Sequence, residues 1–227
     1  MTEGTAIHWF RQDLRIKDNP SLESAAKYKS FIPIYILDDE NAKEFAMGSA
    51  SRWWLHHSLQ TLNKSLGGNL LFFKGNPEEI FKQLLEDQDI SYVSWNRCYE
   101  PWRIDRDKKI KKNLEEKNIQ AESFCGSLLW EPWTISKDDG TPYRVFTPFY
   151  KKGCLNSIEP RLPNDSSSLK NVNTHKLHSS SLDSLDLMPK IEWYKGFESE
   201  WSPGEDGADK SLDEFLDSGL INYKEGR

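Results

Sequence analysis

Arg11, Asp13, Arg15 and Asp18 follow directly on the apolar run at 6–10, with Asn19-Pro20 behind them. Alternating guanidinium and carboxylate groups at the end of a buried strand can serve in two ways. They can ion-pair within the loop and fix the first strand–helix turn. They can also place Arg11 at the mouth of a sheet, where α/β proteins bind ligands. Spacing alone leaves both open. A second concentration of chemistry is aromatic: Trp95, Tyr99, Trp102, Trp130, Trp133, Tyr143, Phe146, Phe149 and Tyr150 crowd two later stretches. Such rings pack domain interfaces, and at a sheet mouth flat rings also stack on a planar cofactor. The basic run Lys108, Lys109, Lys111 and Lys112 has Glu115 and Glu116 at helical spacing, which reads as a solvated, ion-paired face.

Other chemistries find no support. There is no P-loop, no GxGxxG, no GxSxG and no HExxH. His56 and His57 are neighbours on a helical pattern and point in different directions, and His175 and His178 stand apart from any Cys or carboxylate cluster. No metal site is expected. Cys98, Cys125 and Cys154 are odd in number and contain no CxxC pair, so free thiols in a reducing cytoplasm are expected rather than disulfides or zinc.

The elements that must position these residues alternate. Apolar runs at 6–10, 31–37, 70–73 and 92–95 have strand length, and 120–124 reads as a fifth strand. Between them, Asn19-Pro20 and Asn76-Pro77 open helices with a cap and a first-turn proline. Trp54, Leu55, Leu59, Leu62 and Leu66 give the longest helix its apolar stripe, and Gly67-Gly68 stops it. A fourth helix runs over 102–117. Five strands separated by four helices predict a doubly wound, five-stranded parallel α/β sheet with helices on both faces. Pro33 inside the second strand predicts an edge position or a bulge. Serine clusters over 163–190 read as a long linker. Ser202-Pro203-Gly204-Glu205 then reads as a capping box opening a helix closed by Gly219, with Ala208, Leu212, Phe215 and Leu216 as its stripe. A lone amphipathic helix needs something to pack on.

With 227 residues, 37% hydrophobic and 29% charged, the chain has room for one domain plus an appendage. A mean hydropathy of −0.74 and the lack of a long apolar run argue against a membrane span. Residues 1–5 are polar and the apolar run behind them breaks at Arg11, so the opening does not read as a secretory signal. A net charge of −6 argues against a nucleic-acid binder that works by bulk charge.

Five stretches resemble the DNA photolyase/cryptochrome family in the right order. HWFRQDLRIKDNPSL (8–22) is similar to that family's opening strand and turn, and GSASRWWLHHSLQTLNKSL (48–66) to its long second helix. YVSWNRCYEPWRIDRD (92–107) resembles its fourth strand and the turn behind it. SFCGSLLWEPWTISKDDGTPYRVFTPFYK (123–151) resembles the segment ending in Val-Phe-Thr-Pro, and WSPGEDGADKSLDEFLDSGLINYKEGR (201–227) the helix leading into its flavin-binding domain.

The resemblance implies a Rossmann-like photolyase amino-terminal domain over 4–133, a linker over 134–200, and over 201–227 the truncated start of a helical FAD-binding domain. It implies the light-harvesting part of a deoxyribodipyrimidine photolyase, a carbon–carbon lyase that repairs pyrimidine dimers in DNA, not expected to act alone. A stand-alone antenna or interaction module, or a cryptochrome-type photoreceptor fragment, is the alternative. The implied cofactors are FAD in the complete protein and an antenna, methenyltetrahydrofolate or deazaflavin. The implied partners are damaged DNA and a separate helical half. Tyr223 and Arg227 match residues at the entrance to the flavin domain, where the Tyr contacts the flavin phosphates. Arg11, Glu100 and Trp102 are the candidates for the antenna site. Trp102 and Arg103 stand where some folate-binding members carry Asn-Glu, which leaves deazaflavin or no antenna open.

Overall fold

The computed structural model describes residues 1–164, 169, 171–173, 177 and 179–226, so His175, His178 and Arg227 lie outside the described residues. Five strands, β1 (Thr2–Phe10), β2 (Tyr28–Leu37), β3 (Leu71–Lys74), β4 (Ile90–Asn96) and β5 (Gln120–Phe124), form one sheet in the order β3-β2-β1-β4-β5. Every pairing is parallel. The connections carry α1 (Pro20–Ala25), α2 (Ser49–Ser65), α3 (Pro77–Asp87) and α4 (Pro101–Glu115). The chain leaves central β1 outward to β2 and β3, then returns to its other flank with β4 and β5. That reversal places the switch point between β1 and β4.

Strand alternation sorts the core into two layers. Ala6 and Phe10 of β1, with Phe31 and Tyr35 of β2, face Leu22 of α1 and Leu55, Leu59 and Leu62 of α2. Ile7 and Trp9, with Ile32, Ile34 and Ile36, face Ile80, Phe81 and Leu84 of α3 and Ile110 and Leu114 of α4. The helix starts follow from their caps: Asn19 accepts from the Leu22 N–H and Asn76 from the Glu78 N–H, each ahead of a first-turn proline. Gly67 and Gly68 end α2 in left-handed backbone, at φ +64° and +80°. The stripe of α2 buries Trp53, while Trp54 is partly exposed.

Pro33 lies in an interior strand, not at an edge or a bulge. The reason is where its missing donor would point. Phe31 exchanges hydrogen bonds with Asn171 and Asn173 on the flank away from β1, and two residues on Pro33 faces the same flank. There it falls between the Phe31–Val172 bridge and the β3 pairing, which begins at Ile34–Leu71. No ladder bond is lost.

The stretch after β5 has little regular structure: a short turn α5 (Phe146–Pro148), π and 3-10 turns, and two isolated bridges. Part of it nevertheless packs on the sheet domain. Ser180 N–H donates to Phe72 O, and Leu185 and Leu187 are buried in the same core layer as Leu59 and Phe72. The last elements are α6 (Glu205–Glu214), a π turn (Phe215–Gly219) and α7 (Leu220–Gly226). Gly219 does not close the helix, because it lacks the positive φ that a glycine stop requires. Nor does the capping box form. Gly204 is the N-cap, no side chain caps the helix, and the Glu205 carboxylate is engaged elsewhere.

Candidate functional site

A cleft of about 730 Å³ opens at the carboxyl ends of β1 and β2. Trp9, Arg11, Tyr35 and Asp38 come from the strand ends, and Trp54, Leu55 and Ser58 from α2. Trp102, Arg103 and Arg106 come from the first turns of α4. Arg15, Lys17 and Asp18 come from the β1–α1 loop, and Glu205, Ala208 and Asp209 from the start of α6. Its wall therefore mixes aromatic and aliphatic side chains with formally charged ones.

Arg11 bridges the two strands that flank the switch point. Its Nη2 donates to the Asn96 carbonyl at the end of β4 (2.7 Å), and its Nη1 pairs with Asp107 (2.6 Å). Asp107 in turn holds Arg106, whose Nη1 reaches Asp38 at the end of β2 (2.8 Å). The chain Arg11–Asp107–Arg106–Asp38 thus ties β1, β2 and α4 together beneath the cleft. The Arg106 and Asp38 side chains are each only 4% exposed, where an uncompensated charge would be expensive.

The same guanidinium groups face the rings. Arg103 lies 4.8 Å and Arg106 5.2 Å from the Trp102 ring centre, while Arg11 and Arg106 each lie 4.8 Å from Trp9. Cation–π contacts of this kind hold the rings in place. Three cleft residues, Trp9, Arg11 and Arg103, each keep a buried N–H (Nε1, Nε and Nε) without a hydrogen-bond partner among the described residues. Burial pushes the Tyr35 phenol up, so it stays neutral and able to donate.

The loop behind Arg11 is fixed by buried amides. Asn96 Nδ2 donates to Asp13 (2.6 Å) and to Asn19 Oδ1 (2.8 Å), and Arg15 donates to the Asp18 and Gly126 carbonyls. Gly126 must be glycine here, because a Cβ would stand 2.4 Å from the Asn96 side chain. Arg161 hydrogen-bonds Asp18 and holds its carboxyl below the usual range. Both readings of the Arg11–Asp18 run thus have a counterpart: the loop is ion-paired, and Arg11 is at the sheet mouth.

Arg11 and Trp102 come together in the cleft. Glu100 caps the approach to α4 but does not line the cleft, and its carboxylate accepts from Gln12 (2.9 Å) with Arg103 Nε at 3.5 Å. Partial burial pushes Glu100 up, but backbone N–H groups, Arg103 and Gln12 outweigh it and hold the carboxyl below its ordinary value. Tyr223 is on α7, half exposed and edge-on to Phe215, away from the cleft-lining residues. Sequence reasoning passed over Asp38 and Arg106 as a pair and Glu205 as a loop ligand. Asp38 stood at a strand end, which was its one signal. Among the described residues no group of three or more His, Cys, Asp or Glu could hold a metal ion, and no helix is long and apolar enough to cross a membrane.

A doubly wound parallel sheet with an aromatic, guanidinium-lined cleft beside its switch point defines an α/β domain of the Rossmann-like class. Within that class the chain belongs to the DNA photolyase family, whose model matches residues 6–166. It is 39% identical to the deoxyribodipyrimidine photo-lyase of Agrobacterium fabrum, over 97% of this chain and 46% of that protein. It is 35% identical to cryptochrome-2 of Arabidopsis thaliana, over 96% of this chain and 37% of that protein. The solved class III photolyase from Agrobacterium tumefaciens superposes with a TM-score of 0.90 at 37% identity, over all of this chain and 47% of that one. The chain thus spans less than half the length of these relatives.

Proposed function

We propose that the chain is the amino-terminal, light-harvesting part of a deoxyribodipyrimidine photolyase acting in light-dependent repair of pyrimidine dimers in DNA. On this reading the cleft holds an antenna chromophore, methenyltetrahydrofolate or a deazaflavin, and a helical half carries FAD. When bound, the antenna supplies absorption of near-ultraviolet or blue light, and reduced FAD supplies the electron that opens the dimer.

The observation that carries the reading is the Trp102 ring, fixed by Arg103 and Arg106 in a cleft beside the switch point. Trp102 offers a flat face for a heteroaromatic ring. The neutral Tyr35 phenol in the cleft wall offers a donor to an acceptor-rich edge. Glu100 beside the cleft offers an acceptor once Gln12 is displaced. The start of α6 forms one side of the cleft. The exposed stripe of Leu212, Phe215, Leu216 and Leu220 supports docking of the helical half on α6 and α7, where Tyr223 would meet the flavin phosphates. A cryptochrome-type photoreceptor is the second reading, favoured by the likeness to cryptochrome-2.

Equilibrium titration with each chromophore tests the reading. One of the two is expected to bind the wild-type chain, and Trp102→Ala to weaken it about tenfold, the worth of one ring stack. Absence of binding by both, or a Trp102→Ala chain that binds as well as wild type, would overturn it.

A further inference from the structure

Glu205 is the first residue of α6, a position whose carboxylate ordinarily serves the positive end of its own helix. Here it reaches across to the β1–α1 loop instead. Its two oxygens accept from two successive backbone amides, Ile16 N–H (2.9 Å) and Lys17 N–H (2.7 Å). One turn further along α6, Asp209 pairs with the Lys17 ammonium. On the other side Gly204, at φ +105°, sits so close to Thr61 of α2 that a Cβ would meet that side chain at 2.8 Å. These contacts clamp the first turn of α6 between the loop and α2. The same turn contributes Gly204, Glu205, Ala208 and Asp209 to the cleft wall, and the loop it holds contributes Arg15, Lys17 and Asp18. Past the π turn, α6 continues into α7, which bears part of the exposed apolar stripe.

One helix is therefore a wall of the cleft at its start and an apolar docking face further on. We infer that Glu205 is a positioning residue that staples this helix to the cleft, so that occupancy of the cleft and placement of α6 and α7 are coupled. This rests on the proposed reading of the cleft as the chromophore site. A ligand that touches the wall stiffens the helix, and a partner that holds the helix strengthens the ligand by the same factor.

Hydrogen–deuterium exchange on the 227-residue chain, with Glu205→Ala, Glu205→Gln and Asp206→Ala, tests it. Asp206→Ala is the control for first-turn charge, since Asp206 shares that turn. In the free chain, Glu205→Ala is expected to speed exchange at Ile16, Lys17 and along α6 by about tenfold or more, with β1 and β4 unchanged. Glu205→Gln, which keeps one acceptor oxygen, is expected to fall between, and Asp206→Ala to leave Ile16 and Lys17 at wild-type rates. Unchanged exchange at Ile16, Lys17 and α6 in Glu205→Ala would overturn the staple. If that chain loses its sheet protection, the Glu205→Gln chain decides the same question.

The coupling is then read with methenyltetrahydrofolate and with 8-hydroxy-5-deazaflavin. Whichever binds wild type should slow exchange over 205–214 and bind Glu205→Ala about fivefold more weakly or worse, but not Asp206→Ala. Binding that leaves α6 exchange unaltered, or equal affinity in Glu205→Ala, would overturn the coupling. If neither chromophore binds wild type, the cleft reading falls and the coupling with it, while free-chain exchange still reports on the staple.

Discussion

Arg106 does the most at the scale of single residues, holding Asp38 and Asp107 in a nearly water-free site while facing Trp9 and Trp102. Arg106→Met keeps much of the volume but strands Asp38, whose other partners are the backbone and side-chain amides of Asn41. A loss of about 3–5 kcal/mol is expected in urea unfolding, with partial recovery in the Arg106→Met/Asp38→Asn double variant. His8 gives a pH signature. It is fully buried beside Ser21, and burial lowers its pKa from 6.5 to about 4. Between those values the unfolded chain binds a proton that the folded chain refuses, so stability should fall as pH drops from 6.5 to 4. The contribution is about 3 kcal/mol at most, and His8→Gln should flatten that part of the stability–pH curve. The place of Arg11 and Trp102 in the cleft wall was legible from the sequence, because a charge just after a buried strand and a ring at a helix start both stand at the carboxyl edge of the sheet. The Arg106–Asp38 pair was not, since its partners are 68 residues apart and only the fold brings them together.

Among the elements, β1 to β4 and α1 to α3 were readable because each has a local cause, an apolar run, an Asn-Pro start or a Gly-Gly stop, whereas α4 opens on Glu100-Pro101 and β5 (QAESF) has no apolar run. The later elements were not, because their partners are distant. Serine-rich composition over 163–190 hid Leu185 and Leu187, which fill the α2 side of the core although neither belongs to a periodic stripe. Leu185→Ala is expected to cost about 2–4 kcal/mol in denaturant unfolding, as for a core leucine. Leu162→Ala, at an 83% exposed position nearby, should stay within about 0.5 kcal/mol. Equal, negligible effects would show that the stretch is only a tether. The start of α6 was misread for the same reason. Glu205 matched a capping box in sequence, but two loop amides from residues 16 and 17 outcompete its own helix for the carboxylate.

Taken whole, the molecule is a packed α/β sheet domain with large apolar side chains left on its surface. Inside, both faces of the sheet are covered and the cleft beside the switch point is ringed by arginine and tryptophan. Outside, Phe146, Leu216 and Ile221 leave large apolar groups in water at 72%, 50% and 82% exposure. Burying such side chains is worth about 1.5–3 kcal/mol each, which is the driving force the proposed docking of a helical half would draw on. The division of labour proposed for the two halves, antenna here and flavin there, makes a spectroscopic prediction. The deciding measurement is the absorption spectrum of this chain purified after expression with FAD, methenyltetrahydrofolate and deazaflavin all supplied. The antenna pigment should co-purify with it and FAD should wash away. Tightly held FAD, or a colourless protein, would contradict the assignment of the cleft to light harvesting.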